Sequence, residues 1–164
     1  MERMMGFAAA LLLLSSGAVH AVDPPAMKEG LWSIRNQSVN NPGDKKSDHT
    51  STVCRSHAYD QDTLQSAKAI KGCKTLSESL QGSEYSIHMH CVVAGTVIDS
   101  KSTVTFKGDT GSHSENHATY TPALGGISEM TLIQDQKYVG SCPAGVQPGD
   151  ITQPDGTVVH TRKH

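Results

Sequence analysis

Alternating runs of residues separated by glycine-containing breaks occupy the chain from Cys73 to Val139, and this pattern constrains the fold more than any other feature. The alternation is clearest where Tyr85, Ile87 and Met89 are interleaved with polar side chains. A period of two with one polar side is typical of an antiparallel sheet that exposes one face to water. The runs predicted as strands are Cys73–Leu80, Glu84–Val93, Thr96–Lys107, Ser112–Thr121 and Ser128–Val139.

Two further strands and one helix are predicted before Cys73. The strands cover Leu31–Val39 and Ser47–Cys54, and the helix covers residues 60–72, with Asp60 as its cap and Gly72 at its end. The side chains expected to face the sheet are Leu64, Ala67 and Ile70. The fold class is therefore mainly β, a β-rich α+β arrangement. We expect a curved antiparallel meander or partly closed barrel of about seven strands with one short helix.

The first residues have the pattern of a secretory signal peptide. Arg3 precedes the apolar run 7–14, and short residues lead up to Ala21, where we expect cleavage. The run is shorter than the roughly 20 residues that a membrane-spanning helix requires. The sequence therefore predicts a signal peptide over 1–21, a single β-rich domain over 22–150 and a C-terminal hairpin or tail over 151–164. The protein is expected to be periplasmic or secreted, with no membrane span after signal removal.

Four cysteines remain in the predicted mature chain. An even count in an exported protein indicates two disulfides, and the chain has no Cys-x-x-Cys pair of the kind that zinc sites use. A hairpin centred on Gly82 places Cys73 directly opposite Cys91, within the reach of a disulfide. This register favours the pairs Cys73–Cys91 and Cys54–Cys142 and leaves no free thiol.

The composition limits both the core and the partners. About 31% of the residues after Ala21 are apolar, which is low for a domain that must bury a core. We expect Trp32, the only tryptophan, to anchor that core. A net charge of −2 and an aromatic content of 4% argue against nucleic-acid binding.

Histidines and acidic residues form the only candidate metal-binding cluster that the sequence suggests. Extending the strand register across two more strands places five such side chains on the polar face of the sheet: His88, His90, Asp99, Glu115 and His117. Their types suit a transition metal, but His88 and His117 are two strands apart, about 10 Å, with Lys101 between them. We therefore expect no specific metal site and no cofactor.

Motifs of catalysis are missing from the sequence. There is no Gly-x-Ser-x-Gly nucleophile turn and no His-Glu-x-x-His zinc motif. The cysteines are assigned to disulfides, so none is left as a nucleophile. We expect the protein not to be an enzyme and assign no catalytic residue.

Three features resemble a bacterial exported family that is catalogued only as domain of unknown function 3617. They are the segment Lys28–Trp32, the intervals between the four cysteines, and the closing stretch Cys142–Asp150. The resemblance covers nearly all of the predicted mature chain. It implies a Gram-negative periplasmic protein that is rich in antiparallel β structure. The family has no established activity and supplies no catalytic residues.

Two classes of function remain from the sequence. The first is a non-catalytic binding module that holds an apolar ligand, such as a lipid, or an envelope client protein between sheet and helix. The alternative is a protein-interaction role in the envelope, such as inhibition of a cell-wall-degrading enzyme. An unfilled apolar cavity would favour the first, and a filled interior with one protruding rigid loop would favour the second. The sequence does not identify the ligand or the partner.

Overall fold

The computed structural model describes residues 22–160. The predicted signal peptide and its cleavage site lie outside this range. Within it, no helix is long and apolar enough to cross a membrane. The elements in chain order are β1 Gly30–Asn41, β2 Lys45–Arg55, α1 His57–Lys68, β3 Cys73–Gln81, β4 Glu84–Val93, β5 Thr96–Phe106, β6 Gly111–Leu124, β7 Ile127–Gly140, β8 Ile151–Thr152 and β9 Val158–Val159.

All nine strands of the described chain belong to one antiparallel sheet. Their order is β3-β4-β5-β6-β7-β1-β2-β8-β9, so the sheet stays open, with β3 at one edge and β9 at the other. The β-rich class, the curved meander and the single helix are confirmed, and the number of strands is nine instead of seven. The two extra strands come from the segment after Asp150, which forms a small hairpin on β2 through the pair Val53–Ile151.

The register of β4, β5 and β6 follows the sequence-based alignment. In the β3–β4 hairpin the turn is centred between Gly82 and Ser83 instead of on Gly82, and a bulge between Thr75 and Ser77 restores the predicted cysteine pair. Cys73 lies opposite Cys91, His90 opposite Asp99, and Lys101 lies between His88 and His117. One break was predicted too early: β6 continues through Pro122 to Leu124, and the turn falls on Gly125 and Gly126. The irregular register between Thr119 and Leu124 accommodates the proline there.

The helix differs from the prediction at both ends. It begins at His57 and ends at Lys68, and its cap is Ser56, whose hydroxyl accepts a hydrogen bond from the Tyr59 amide. Asp60 lies in the first turn and not at the cap: its amide donates to the Ser56 carbonyl, and its carboxylate accepts two hydrogen bonds from Arg55. Ser56 is a residue type that commonly caps helices, and it was present in the sequence. The prediction instead placed the cap at Asp60, another residue type that is common at that position.

The predicted sheet-facing side of the helix is also wrong. Ala67 is exposed, Ile70 lies beyond the helix with 51% of its surface exposed, and only Leu64 is half-buried. No residue of α1 is buried. The helix therefore contacts the core through Tyr59 but has no continuous apolar stripe buried against the sheet. The spacing of apolar residues along the sequence does not by itself distinguish this arrangement from a fully packed helix.

The core is small and lies beneath the start of α1. Met27, Trp32 and Val53 are buried together, and Trp32 has no exposed surface. Partly buried apolar side chains pack around them, namely Ile34, Tyr59, Phe106, Tyr138 and Ile151. We call the side of the sheet that carries Trp32 the inner face and the opposite side the outer face.

Gly30 allows the strand that carries Trp32 to approach its neighbour. Its φ is +138°, and a Cβ atom there would lie 2.4 Å from the Gly140 carbonyl oxygen. Any L side chain would therefore clash with backbone at this position. This close approach explains the glycine that precedes Leu31 and Trp32 near the predicted mature start.

Two disulfides hold the sheet together. They join Cys54 to Cys142 and Cys73 to Cys91, and no cysteine is free. The first ties β2 to the segment after β7 across a sequence separation of 88 residues, and the second spans one hairpin with a separation of 18. Both pairs are those expected from the sequence, and the bulge between Thr75 and Ser77 is what brings Cys73 opposite Cys91.

We expect loss of the long-range disulfide to destabilise the protein more than loss of the hairpin disulfide. In the loop-entropy model the separations correspond to about 4.6 and about 3.2 kcal/mol of unfolding free energy. Denaturant unfolding of the double variants Cys54→Ala/Cys142→Ala and Cys73→Ala/Cys91→Ala measures both. A larger loss in the hairpin variant would show that fixing the register of β3 outweighs loop entropy.

Candidate functional site

The helix α1 is held at its two ends and leaves open space along its sides. It connects β2 to β3, which lie far apart in the sheet, so the chain must cross the inner face. Cavities of about 450 Å³ and about 370 Å³ lie on its two sides. We call them cavity 1 and cavity 2. Both are in the size range of small-molecule sites.

Arg55 anchors the first turn of the helix. Its Nε and Nη2 atoms donate to the two carboxylate oxygens of Asp60, both at 2.8 Å, and its Nη1 atom donates to Gln136 on β7 at 2.8 Å. The guanidinium also lies 4.6 Å from the centre of the Trp32 ring. A planar, forked group can make these contacts at once, whereas a lysine ammonium cannot.

A second, smaller anchor holds the last turn. Lys68 and the Tyr85 hydroxyl both donate to the same oxygen of Glu78 on β3, each at 2.6 Å. Burial alone would raise the pKa of Glu78, but these two hydrogen bonds outweigh it and lower the pKa. Burial and the neighbouring Glu78 carboxylate both raise the pKa of Tyr85, so its hydroxyl stays protonated as a donor.

The segment before β1 forms one wall of cavity 1. Met27 is buried in the core, the Trp32 indole donates to the Lys28 carbonyl at 2.8 Å, and Lys28 lies over the Tyr138 ring. The His57 amide donates to Glu29 at 2.9 Å, which joins this segment to the start of α1. These contacts fix the segment before β1 against the core and the start of α1.

Cavity 1 lies between this segment, one side of α1 and Phe106. Its charged side chains are largely satisfied inside the protein, since Arg55 pairs with Asp60 and Lys68 pairs with Glu78. The lining is mixed, with somewhat more apolar than polar surface, and Asp23, His57, Gln61 and Gln65 add further polar groups. The apolar lining residues are Pro24, Pro25, Ala26, Met27, Leu64 and Phe106.

Cavity 2 lies on the other side of α1, above β1, β2 and β7. Its apolar lining comes from Ile34, Val53 and Ile151, and Tyr59 contributes from the helix. Polar side chains of the sheet complete it, including Asn36, Ser51, Gln134 and Gln136. The lining residues of the two cavities were not identifiable from the sequence, because residues such as Asn36 and Gln134 meet only through the pairing of β1 with β7.

The residues predicted as the nearest approach to a metal cluster lie on the outer face, away from both cavities. They divide into separate contacts. His88 and His90 on β4 both approach Asp99 on β5, at 2.9 and 3.8 Å. His117 pairs with Glu129 at 3.2 Å, and Glu115 lies 3.4 Å from His113.

Two acidic residues that contact these histidines come from β7 and were not predicted from the sequence. Glu129 contacts His117, and Asp135 contacts His113 at 2.8 Å. The alternation of β6 identified the face, but only the β6–β7 register brings these acids to it. Within residues 22–160, no group of three His, Cys, Asp or Glu side chains is arranged to hold a metal ion.

The arrangement defines a disulfide-bonded open β-sheet protein with a helix across a two-sided cleft. The chain belongs to the family described as "Protein of unknown function (DUF3617)", whose family model matches residues 27–142. The match spans β1 to β7 and all four cysteines. No curated protein matches the chain.

We expect no tight transition-metal binding. On the outer face, carboxylates already contact the imidazoles and Lys101 adds a positive charge between His88 and His117. Titration calorimetry with Zn²⁺ and Cu²⁺ checks this. A one-to-one site tighter than about micromolar that is lost in His88→Ala would contradict the prediction.

The His113 pairs predict a pH-dependent contribution to stability. Hydrogen bonds to Asp135 and Glu115 raise the pKa of His113 above its usual range. The stabilisation is therefore complete below the ordinary histidine pKa of about 6.5 and is lost as the pH rises through the raised value. Because the ring is 35% exposed, solvent screening should keep the effect below about 1 kcal/mol.

The measurement is the unfolding free energy of wild type and His113→Gln at about pH 5.5 and about pH 8.5. The variant should be more destabilised at the lower pH. Asp135→Asn should show the same pH dependence, since it removes the other partner. Equal destabilisation at both pH values would contradict the assignment.

Proposed function

We propose that this protein is an exported, non-catalytic binding module that holds an apolar ligand in cavity 1. One observation carries the proposal: α1 crosses the inner face with no fully buried side chain, contacts the core through Tyr59, and leaves about 450 Å³ beside it. A helix that only completed a core would bury an apolar stripe against the sheet. A helix tied at its ends above unfilled space is suited to covering a ligand.

The lining supports an apolar ligand over a charged one. Arg55, Asp60 and Lys68 make hydrogen-bonded ion pairs, so a charged ligand would have to displace an existing partner. Breaking a partly buried ion pair costs more than a new exposed pair returns. The two prolines, Ala26, Leu64 and Phe106 offer apolar surface that gains free energy when a ligand covers it.

The disulfides support an oxidising compartment such as the periplasm. Bonds of this kind persist in exported proteins and are rare in the reducing cytosol. The alternative from the sequence was a protein-interaction role with a filled interior. The unfilled space on both sides of α1 favours the binding module over that alternative.

We expect phenylnaphthylamine, a neutral apolar fluorescent probe, to bind saturably with one-to-one stoichiometry. Leu64→Glu places a carboxylate in the apolar lining and should weaken binding by about tenfold or more, the equivalent of about 1.4 kcal/mol. Fluorescence titration of the intact mature protein measures both dissociation constants.

Ser66→Glu is the matched control. Ser66 is exposed on the same helix and lines neither cavity, so this variant should bind the probe within about twofold of wild type. Absence of saturable binding, or equal effects of the two variants, would overturn the proposal. Native mass spectrometry of the purified protein would then show which co-purified molecule, if any, remains bound.

A further inference from the structure

A directed chain of side-chain hydrogen bonds crosses the floor of cavity 2. Arg55 Nη1 donates to the side-chain Oε1 of Gln136 at 2.8 Å, and the side-chain Nε2 of Gln136 donates to Oε1 of Gln134. The Gln134 amide nitrogen in turn donates to Asn36 Oδ1 at 2.8 Å. This series of hydrogen bonds starts at the Arg55 guanidinium, a cation that can only donate, and ends at the side-chain amide of Asn36.

The arginine fixes the direction of every bond in this chain. A guanidinium has donors and no acceptor, so Gln136 must present its oxygen to Arg55 and its nitrogen to Gln134. The same logic orients Gln134 and places Oδ1 of Asn36 at the end of the chain. The Asn36 Nδ2 group is left as a donor, and within the described residues it has no protein acceptor.

The open donor lies in a cavity that has an apolar side. Asn36 and Ser51 both line cavity 2, and Ile34, Val53 and Ile151 lie around them. An apolar pocket with a few placed polar groups is the usual form of a small-molecule site. A donor in such a site discriminates strongly, because a ligand without an acceptor leaves it unpaired.

We propose that cavity 2 is a second binding subsite for a neutral ligand. In it, Asn36 Nδ2 and the Ser51 hydroxyl donate hydrogen bonds to an acceptor of the ligand, above all a carbonyl group. A carboxylate or phosphate is disfavoured because Asp60 lines the same cavity and Arg55 is already committed to it. The inference rests on the proposed function, to which it adds the chemistry of the ligand's polar group.

The probe is Prodan, a neutral naphthalene that carries a ketone, compared with dimethylaminonaphthalene, which lacks the ketone. Asn36→Asp tests the donor with little change of shape, since the remaining Oδ1 still accepts from Gln134 while Nδ2 becomes an acceptor. We expect this variant to weaken Prodan binding by about tenfold and to leave dimethylaminonaphthalene within about twofold. Prodan bound to Asn36→Asp should also lack the emission shift, seen with wild type, that reports a hydrogen bond to its ketone.

Ser38→Asp is the control for the added charge: Ser38 lies two residues from Asn36 on the same face of β1, its contact with Ser47 is exposed, and it lines neither cavity. It should leave both probes within about twofold of wild type. Ser51→Ala, a second variant that adds no charge, should weaken Prodan alone, and it keeps the test decisive if Asn36→Asp does not fold.

The outcomes separate this inference from the proposed function. Equal weakening of both probes in Asn36→Asp would overturn the donor role, as would unchanged Prodan binding in both Asn36→Asp and Ser51→Ala. In either case, binding of phenylnaphthylamine that depends on Leu64 would still support cavity 1. If none of the three probes binds to wild type, both proposals are wrong.

Discussion

The contact on which the cleft depends is the cluster of bonds around Arg55. This residue ends β2, and its guanidinium reaches α1 through Asp60, β7 through Gln136 and β1 through the Trp32 ring. The Arg55 and Asp60 side chains are only 14% and 25% exposed, so their attraction is screened less than that of a surface pair. Removing either partner would leave a partly buried charge unpaired, which is more costly than the intact pair is stabilising.

A small core makes these polar contacts and the disulfides more important. Only Met27, Trp32 and Val53 form the buried apolar cluster in the described chain, and much of the sheet is half-exposed on both faces. Burial of so few side chains opposes the conformational entropy of a long chain only in part. Constraints on the unfolded chain, such as Cys54–Cys142, therefore carry a larger share of the stability than they would in a thickly packed domain.

The sequence predicted those features that depend on local periodicity. Alternation and the Ala94-Gly95 turn were enough to align His90 with Asp99. The Cys73–Cys91 pair was predicted correctly from a hairpin centre at Gly82 that is half a residue off, because a bulge between Thr75 and Ser77 offsets the difference. Neighbouring strands in a meander are joined by short turns, so a period of two determines both the face and the partner. The same reasoning placed His88 and His117 on either side of Lys101.

The features that the sequence did not reveal depend on contacts between distant segments. Gln134 and Asn36 are 98 residues apart and meet because β7 pairs with β1, a crossover that no turn signal specifies. The helix face was wrong for a related reason. Spaced apolar residues predict burial only when the opposing surface is apolar too, and here Arg55 and the amides of cavity 2 occupy part of that surface.

The two anchors of α1 differ in a way that bears on how a ligand would enter. At the first turn, Arg55 holds Asp60 with two parallel hydrogen bonds, and Ser56 caps the helix next to it. At the last turn, one ammonium meets one carboxylate oxygen, with the Lys68 side chain 29% exposed. The two ion pairs are similarly exposed, but one charge-assisted hydrogen bond is a weaker attachment than two parallel ones. The helix is therefore easiest to separate from the sheet at its Lys68 end, and Lys68 is also the last residue of α1 along the wall of cavity 1.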